Sequence, residues 1–119
     1  MCARMDRSEF ALSDCEGIVI LRLPEVVDEA RAVEFAGKLD DLEQNGRLNV
    51  VIDCEVLHLI SSTPIGHLIH LISHAIGAGG RITMARLPES VERVFWAIRL
   101  NQLLETYPTV EEAVRSYRA

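Results

Sequence analysis

Read for hydrophobic and polar positions alone, the chain alternates short β-branched runs with longer segments of three- and four-residue apolar spacing. Glu9 to Ser13 alternates weakly and reads as a first strand. Asp14, Cys15, Glu16 and Gly17 then form a hairpin turn, with Gly17 free to take positive φ. Ile18 to Leu23 (IVILRL) is rich in β-branched residues and predicts a second strand, ended by Pro24. From Ala30 to Leu42 the apolar positions Ala32, Phe35, Ala36, Leu39 and Leu42 share one helical face. Asp28 stands where an N-cap or first-turn acid belongs, and Asn45-Gly46 closes the helix.

The stretch from Leu48 to Gly79 is the most informative. Leu48, Val50, Val51 and Ile52 make a run of the kind that sits in the middle of a sheet. A polar loop follows, ending in the consecutive hydroxyls Ser61, Ser62 and Thr63. Pro64 pre-sets the first turn of a helix, which places Thr63 at the N-cap. In that helix Ile65, Leu68, Ile69, Leu71, Ile72, Ala75 and Ile76 cover about half the circumference. Gly77, Gly79 and Gly80 stop it.

Arg81 to Ala85 reads as another strand, and Pro88 and Glu89 open a third helix with Val91, Val94, Phe95 and Ile98 facing inward. Leu103 to Tyr107 holds a short edge strand, and Thr109 with Glu112 fits a capping box for a last helix, Val110 to Tyr117. The order β, β, α, β, α, β, α, β, α implies mostly parallel strands joined by right-handed crossovers. In such sheets sites form beyond the carboxyl ends of the strands, which is where the hydroxyl loop falls.

Composition narrows this picture. At 119 residues and 49% apolar content the chain fits one folded domain over residues 1–119. Its apolar runs are too short to span a bilayer, and Met1 to Ser8 lacks the apolar core of a signal peptide, so the expected location is cytoplasmic without membrane insertion. The net charge of −6 argues against nucleic-acid binding and favours a partner with a basic face. Cys2, Cys15 and Cys54 have no CxxC spacing, so neither a disulfide framework nor a structural zinc site is expected, and Cys54 reads as a small apolar filler.

The hydroxyl triplet has two readings. Hydroxyls cap helices routinely, although one cap needs only one of them. Alternatively the triplet accepts a phosphate, whose roughly −1.5 to −2 charges a helix N-terminus tolerates through its dipole and free N–H groups. On a docking surface the same charge breaks the contact, which makes a switch. Nucleophilic hydrolysis with Ser62 and a histidine fits poorly: no GxSxG elbow is present, and the histidines follow within the same helix. No GxxxxGK[ST] or GxGxxG occurs, so no nucleotide cofactor is expected. His67, His70 and His74 lie within about 60° of arc off the apolar face and read as a solvated or partner-facing stripe rather than a metal site. Asp53 reads as a solvated loop or capping acid, and Phe95 and Trp96 as core and rim packing.

Taken in order, NVVIDCEVLHLISSTPIG, GAGGRITMA, LPESVERVF and YPTVEEAV make the chain resemble STAS domains, the family of bacterial anti-sigma-factor antagonists and of the cytoplasmic tails of sulphate transporters. The match runs from about Ile18 to Tyr117. The resemblance implies an α/β fold: a STAS-like single domain with a mixed, mostly parallel central sheet of four to five strands flanked by about four helices. It also implies a non-enzymatic protein, catalysing nothing and needing no cofactor, whose partner is an anti-sigma factor that is a serine kinase. Residue by residue, the family's phosphoacceptor serine falls on Ser62, the acid before it on Ser61, the second serine on Thr63 and the next glycine on Pro64. Gly66 is retained and the family's aspartate matches Asp28. Arg99 stands where the family often has glycine, and Glu25 and Val26 where glycine and glutamate commonly precede Asp28. The implied surface is Asp28, Ser61, Thr63, Pro64, Gly66 and His67 around Ser62, with a homodimer left open. The alternative is a constitutive, poorly phosphorylated scaffold subunit of a signalling or transporter complex.

Overall fold

The computed structural model describes residues 3, 4 and 10–118. In chain order the elements are β1 (Ala3–Arg4), β2 (Ala11–Cys15), β3 (Ile18–Arg22), β4 (Val26–Val27), α1 (Glu29–Gln44), β5 (Asn49–Asp53), β6 (Leu59–Ile60), α2 (Ser62–Gly77), β7 (Arg81–Ala85), α3 (Glu89–Ala97), β8 (Glu105–Tyr107) and α4 (Val110–Arg115). The main sheet runs β1-β2-β3-β5-β7-β8, and β4 pairs with β6 in a separate two-stranded ladder. The β1–β2 and β2–β3 pairings are antiparallel, and β3–β5, β5–β7 and β7–β8 are parallel. The expected mixed, mostly parallel sheet with four helices is therefore present. The two-residue β1 adds an outer strand too short to leave a periodicity in the sequence.

The β2–β3 hairpin is tighter than expected. Asp14 and Cys15 belong to β2, and only Glu16 and Gly17 turn, at φ 58 and 86. Two successive positive φ values define the two-residue turn whose twist matches its flanking strands. Glu9 and Met1 to Ser8, apart from Ala3 and Arg4, lie outside the described residues, as does Cys2. Cys15 is disulfide-bonded, where the sequence predicts no disulfide framework. Cys54 is a free buried thiol, pushed well up from its ordinary pKa by burial.

Alternation along the strands sorts the sheet into two faces. On one, Val19, Leu21, Val50, Ile52, Ile82 and Met84 pack with Phe35 and Leu39 of α1, Leu68, Leu71 and Ile72 of α2, and Val91 and Phe95 of α3. Phe10 stacks on Phe35 at 5.4 Å between ring centroids. On the other, Ile18, Ile20, Val51 and Ala85 meet Ala113 and Val114 of α4. Both faces of β5 are covered, as its uninterrupted apolar run requires.

Two helices bury less than their sequences suggest. In α3 only Val91 and Phe95, one turn apart, reach the core, while Val94 and Ile98 are 45% and 48% exposed. Val94 lies about 100° round the helix from Phe95, and Ile98 is already the C-cap. On α2, Ile69 and Ile76 are exposed because their edge of the apolar arc extends past the sheet. Trp96 is 60% exposed, so of the Phe95-Trp96 pair only Phe95 is core.

Candidate functional site

The strand β5 ends at Asp53 and the chain returns to the helical layer through the loop that becomes α2. That loop is clamped to the one preceding α1. Val26 and Val27 pair with Leu59 and Ile60, the Leu59 N–H donates to Glu25 O at 3.2 Å, and the Ser61 N–H donates to Val27 O at 2.9 Å. The two helix N-termini are thereby set side by side. Asp28 caps α1, its Oδ1 accepting from the Arg31 N–H at 3.2 Å. Ser61, not Thr63, is the N-cap of α2. Helical geometry begins two residues earlier than Pro64 alone indicates, so Ser62, Thr63 and Pro64 are its first three residues.

The three hydroxyls differ in their surroundings. Ser61 is half-buried, makes no side-chain cap bond, and donates its hydroxyl to Glu29 Oε1 at 3.2 Å. Ser62 and Thr63 are exposed, and among the described residues neither side chain has a hydrogen-bond partner. The first turn of α2 carries no acid, so its positive end is not offset by a carboxylate of its own. At about 100° per residue, Ser62 and Gly66 share the outward face and Thr63 and His67 share the flank of the helix that carries the histidines. Pro64 is buried, so it shapes the turn without offering a contact surface. A Cβ built on Gly66 meets nothing within 4 Å, so packing does not require a glycine there.

The histidine stripe meets a carboxylate that its own helix does not supply. Glu43 of α1 lies 3.7 Å from His70 Nε2 and 4.0 Å from His74 Nδ1. No group of three or more His, Cys, Asp or Glu side chains among the described residues is arranged to hold a metal ion.

Asp53 departs from its expected role as a solvated acid. It is 4% exposed and accepts two hydrogen bonds from Arg86, at 3.1 Å from Nε and 2.7 Å from Nη2. Glu55 links Arg86 (2.8 Å) to Arg22 (3.3 Å), so charges from the ends of β3, β5 and β7 close on one another. Hydrogen bonding to Asp53 raises the Arg86 pKa above its ordinary value. The partners Glu29 and Arg86 were not singled out from sequence; neither stands in a motif, and only the fold brings them to Ser61 and Asp53.

This arrangement belongs to a recognised class. The STAS domain family model matches residues 10–113, and the chain belongs to that family. No curated protein matches it in sequence. Among solved structures it is similar to a candidate anti-sigma factor antagonist from Thermotoga maritima (22% identity, TM-score 0.85, covering 92% of this chain and 95% of that one). It is similar also to an anti-sigma-factor antagonist (STAS) domain protein from Planctomyces limnophilus (15% identity, TM-score 0.83, 94% and 100%). A third is the Bacillus cell fate determinant SpoIIAA in its phosphorylated form (16% identity, TM-score 0.69, 98% and 99%). These likenesses establish the fold. Among the described residues no helix is long and apolar enough to cross a membrane.

Proposed function

We propose that this chain is a single-domain, non-enzymatic partner-switching regulator that acts in the cytoplasm. It docks a regulatory serine kinase of the anti-sigma-factor type, or a related signalling protein, through the Ser61-Ser62-Thr63 loop, and phosphorylation of Ser62 releases it. The observation that carries this reading is the exposure of the Ser62 side chain in the first turn of a helix with no acid of its own. There a second protein reaches the hydroxyl, and a phosphate meets the favourable end of the helix dipole. Asp28, on the adjoining N-terminus, and Gly66 and His67, one turn down α2, form the rest of the docking surface. Thr63 lies beside the acceptor, and Pro64 sets the turn from beneath. Membership of the STAS family, and the existence of a fold relative described in a phosphorylated form, support the same reading.

The test is binding and modification with the kinase that co-purifies with the chain. With ATP, a single phosphate is expected on the wild type and none on Ser62→Ala. Ser62→Asp, which carries the charge permanently, should lose binding at least ten-fold. A chain that binds equally well in all three forms is a constitutive scaffold instead. One feature favours that second reading: Pro64, third in α2, lacks an N–H that would otherwise face a phosphate.

A further inference from the structure

Three adjacent hydroxyls raise the question of how one of them is selected, and the geometry points to Glu29 as the residue that directs modification to Ser62 by disfavouring Ser61. The inference rests on the switching reading above and deepens it. Ser61 is engaged on every side. Its N–H donates to Val27 O at 2.9 Å, its carbonyl accepts from the Ile65 N–H at 3.2 Å, and its hydroxyl donates to Glu29 Oε1 at 3.2 Å. Ser62 is exposed, with its hydroxyl free among the described residues.

The chemistry separates the two positions. In the reaction proposed, Ser62 Oγ bonds to the γ-phosphorus of ATP as the bond to the β–γ bridging oxygen breaks. ADP leaves, and the hydroxyl proton passes to a base of the kinase. At Ser61 the same step would build a group of roughly −1.5 to −2 charges against a carboxylate. Two like unit charges 4 Å apart, even at the dielectric of water, disfavour the pair by about five-fold. Glu29 stands in the first turn of α1, where a carboxylate is favourable to its own helix. Glu29 is thus a positioning residue: it touches neither ATP nor the reacting Ser62, and acts by holding its neighbour.

The full chain and its Glu29→Gln, Glu29→Lys and Glu29→Asp variants are expressed in the organism that encodes it, where its own kinase and cellular ATP act on it. Phosphate is then localised by fragmentation mass spectrometry, with thermal melts checking that each variant folds. In the wild type and Glu29→Asp, Ser61 should hold at most about a fifth of the phosphate carried by Ser62, from the charge repulsion above. Glu29→Gln should raise the Ser61 share about five-fold, and Glu29→Lys should bring Ser61 and Ser62 to parity. An unchanged distribution in all four chains overturns the inference, as does wild-type phosphate carried mainly on Ser61 or Thr63. Loss of all phosphate in the variants alone makes Glu29 a docking contact, not a selector, and overturns it too. Absence of phosphate from every chain, wild type included, sinks the switching reading itself.

Discussion

Asp53 and Ser62 stand at opposite ends of one loop that leaves the central strand, and the fold treats them in opposite ways. Asp53 is buried and spends its hydrogen-bonding capacity internally, on two nitrogens of Arg86 and on the Glu55 N–H at 3.3 Å. Ser62 is exposed and, among the described residues, spends none. A polar group whose partners are already inside the molecule has little left to offer a second one. A hydroxyl placed in water at a helix N-terminus keeps its donor and acceptors available. Position beyond the end of a strand therefore identifies where chemistry is expected, and satisfaction of hydrogen bonds separates the part that holds the fold from the part that is free to act.

The sharpest way to break this contrast is to remove one group from each side of it. Arg86→Met leaves the Asp53 carboxylate buried beneath an apolar side chain. Removing one partner of a buried pair costs about 3–5 kcal/mol, and the lower end applies because Arg86 is itself partly exposed. Ser62→Asp should change stability by less than about 1 kcal/mol and in the favourable direction, since the new charge sits at the positive end of α2. Urea denaturation of the two variants checks both. A Ser62 variant that costs as much as Arg86→Met would mean that the serine is structural.

The sequence carries the sheet and the helices plainly, because β5 is apolar on both faces and α1 has one apolar stripe closed by Asn45 and Gly46. It carries Asp28 as an N-cap and Thr109 as the start of a capping box, since both signals are local. What it conceals is non-local. The pairing of Val26 and Val27 with Leu59 and Ile60 sets the α2 N-cap at Ser61, and two-residue ladders leave no pattern to read. The burial of Asp53 depends on Arg86, 33 residues away. The exposure of Val94 and Ile98 depends on how little of α3 the sheet reaches. The hydroxyl triplet was legible as a candidate site, but which of its members is free was not, because Glu29 arrives from another helix.

Tyr117 extends the contrast to the far face of the sheet and predicts a smaller effect. Its hydroxyl lies 2.6 Å from Val50 O and 3.0 Å from Arg81 O, the carbonyls its single proton reaches, and 3.1 Å from the fully buried Thr83 Oγ1. Tyr117→Phe should cost about 1–3 kcal/mol by leaving those groups short of a partner. Burial pushes the Tyr117 pKa up to about 12 from 10.0, so the folded chain holds this proton where the unfolded chain releases it. The linked stability is present below pH 10 and is lost as pH rises toward 12. Denaturation across that window should show a fall in the wild type that is absent in Tyr117→Phe. Identical pH profiles would mean that the phenol is no more confined than Ser62.

The smallest effect is expected at Arg99, which together with Arg86 repeats the comparison in the backbone. Arg86 and Arg99 both have left-handed conformations, at φ 58 and φ 62, a region costly to any residue with a Cβ. Arg86 offsets that strain with its hold on Asp53, whereas among the described residues the exposed Arg99 has no side-chain partner. Arg99 is also the position where the resemblance to the family implies glycine, and the backbone supplies the reason: glycine adopts this conformation freely. Arg99→Gly should therefore stabilise the chain by about 0.5–1 kcal/mol, the relief of strain outweighing the added freedom of the unfolded state. Arg86→Gly removes the same strain and should still destabilise, because it leaves the buried carboxylate unpaired. The opposite signs, read from paired urea melts, follow only if partnership and not backbone shape decides what each arginine does. A gain at both positions would show that the Asp53 pair contributes less than the strain needed to form it.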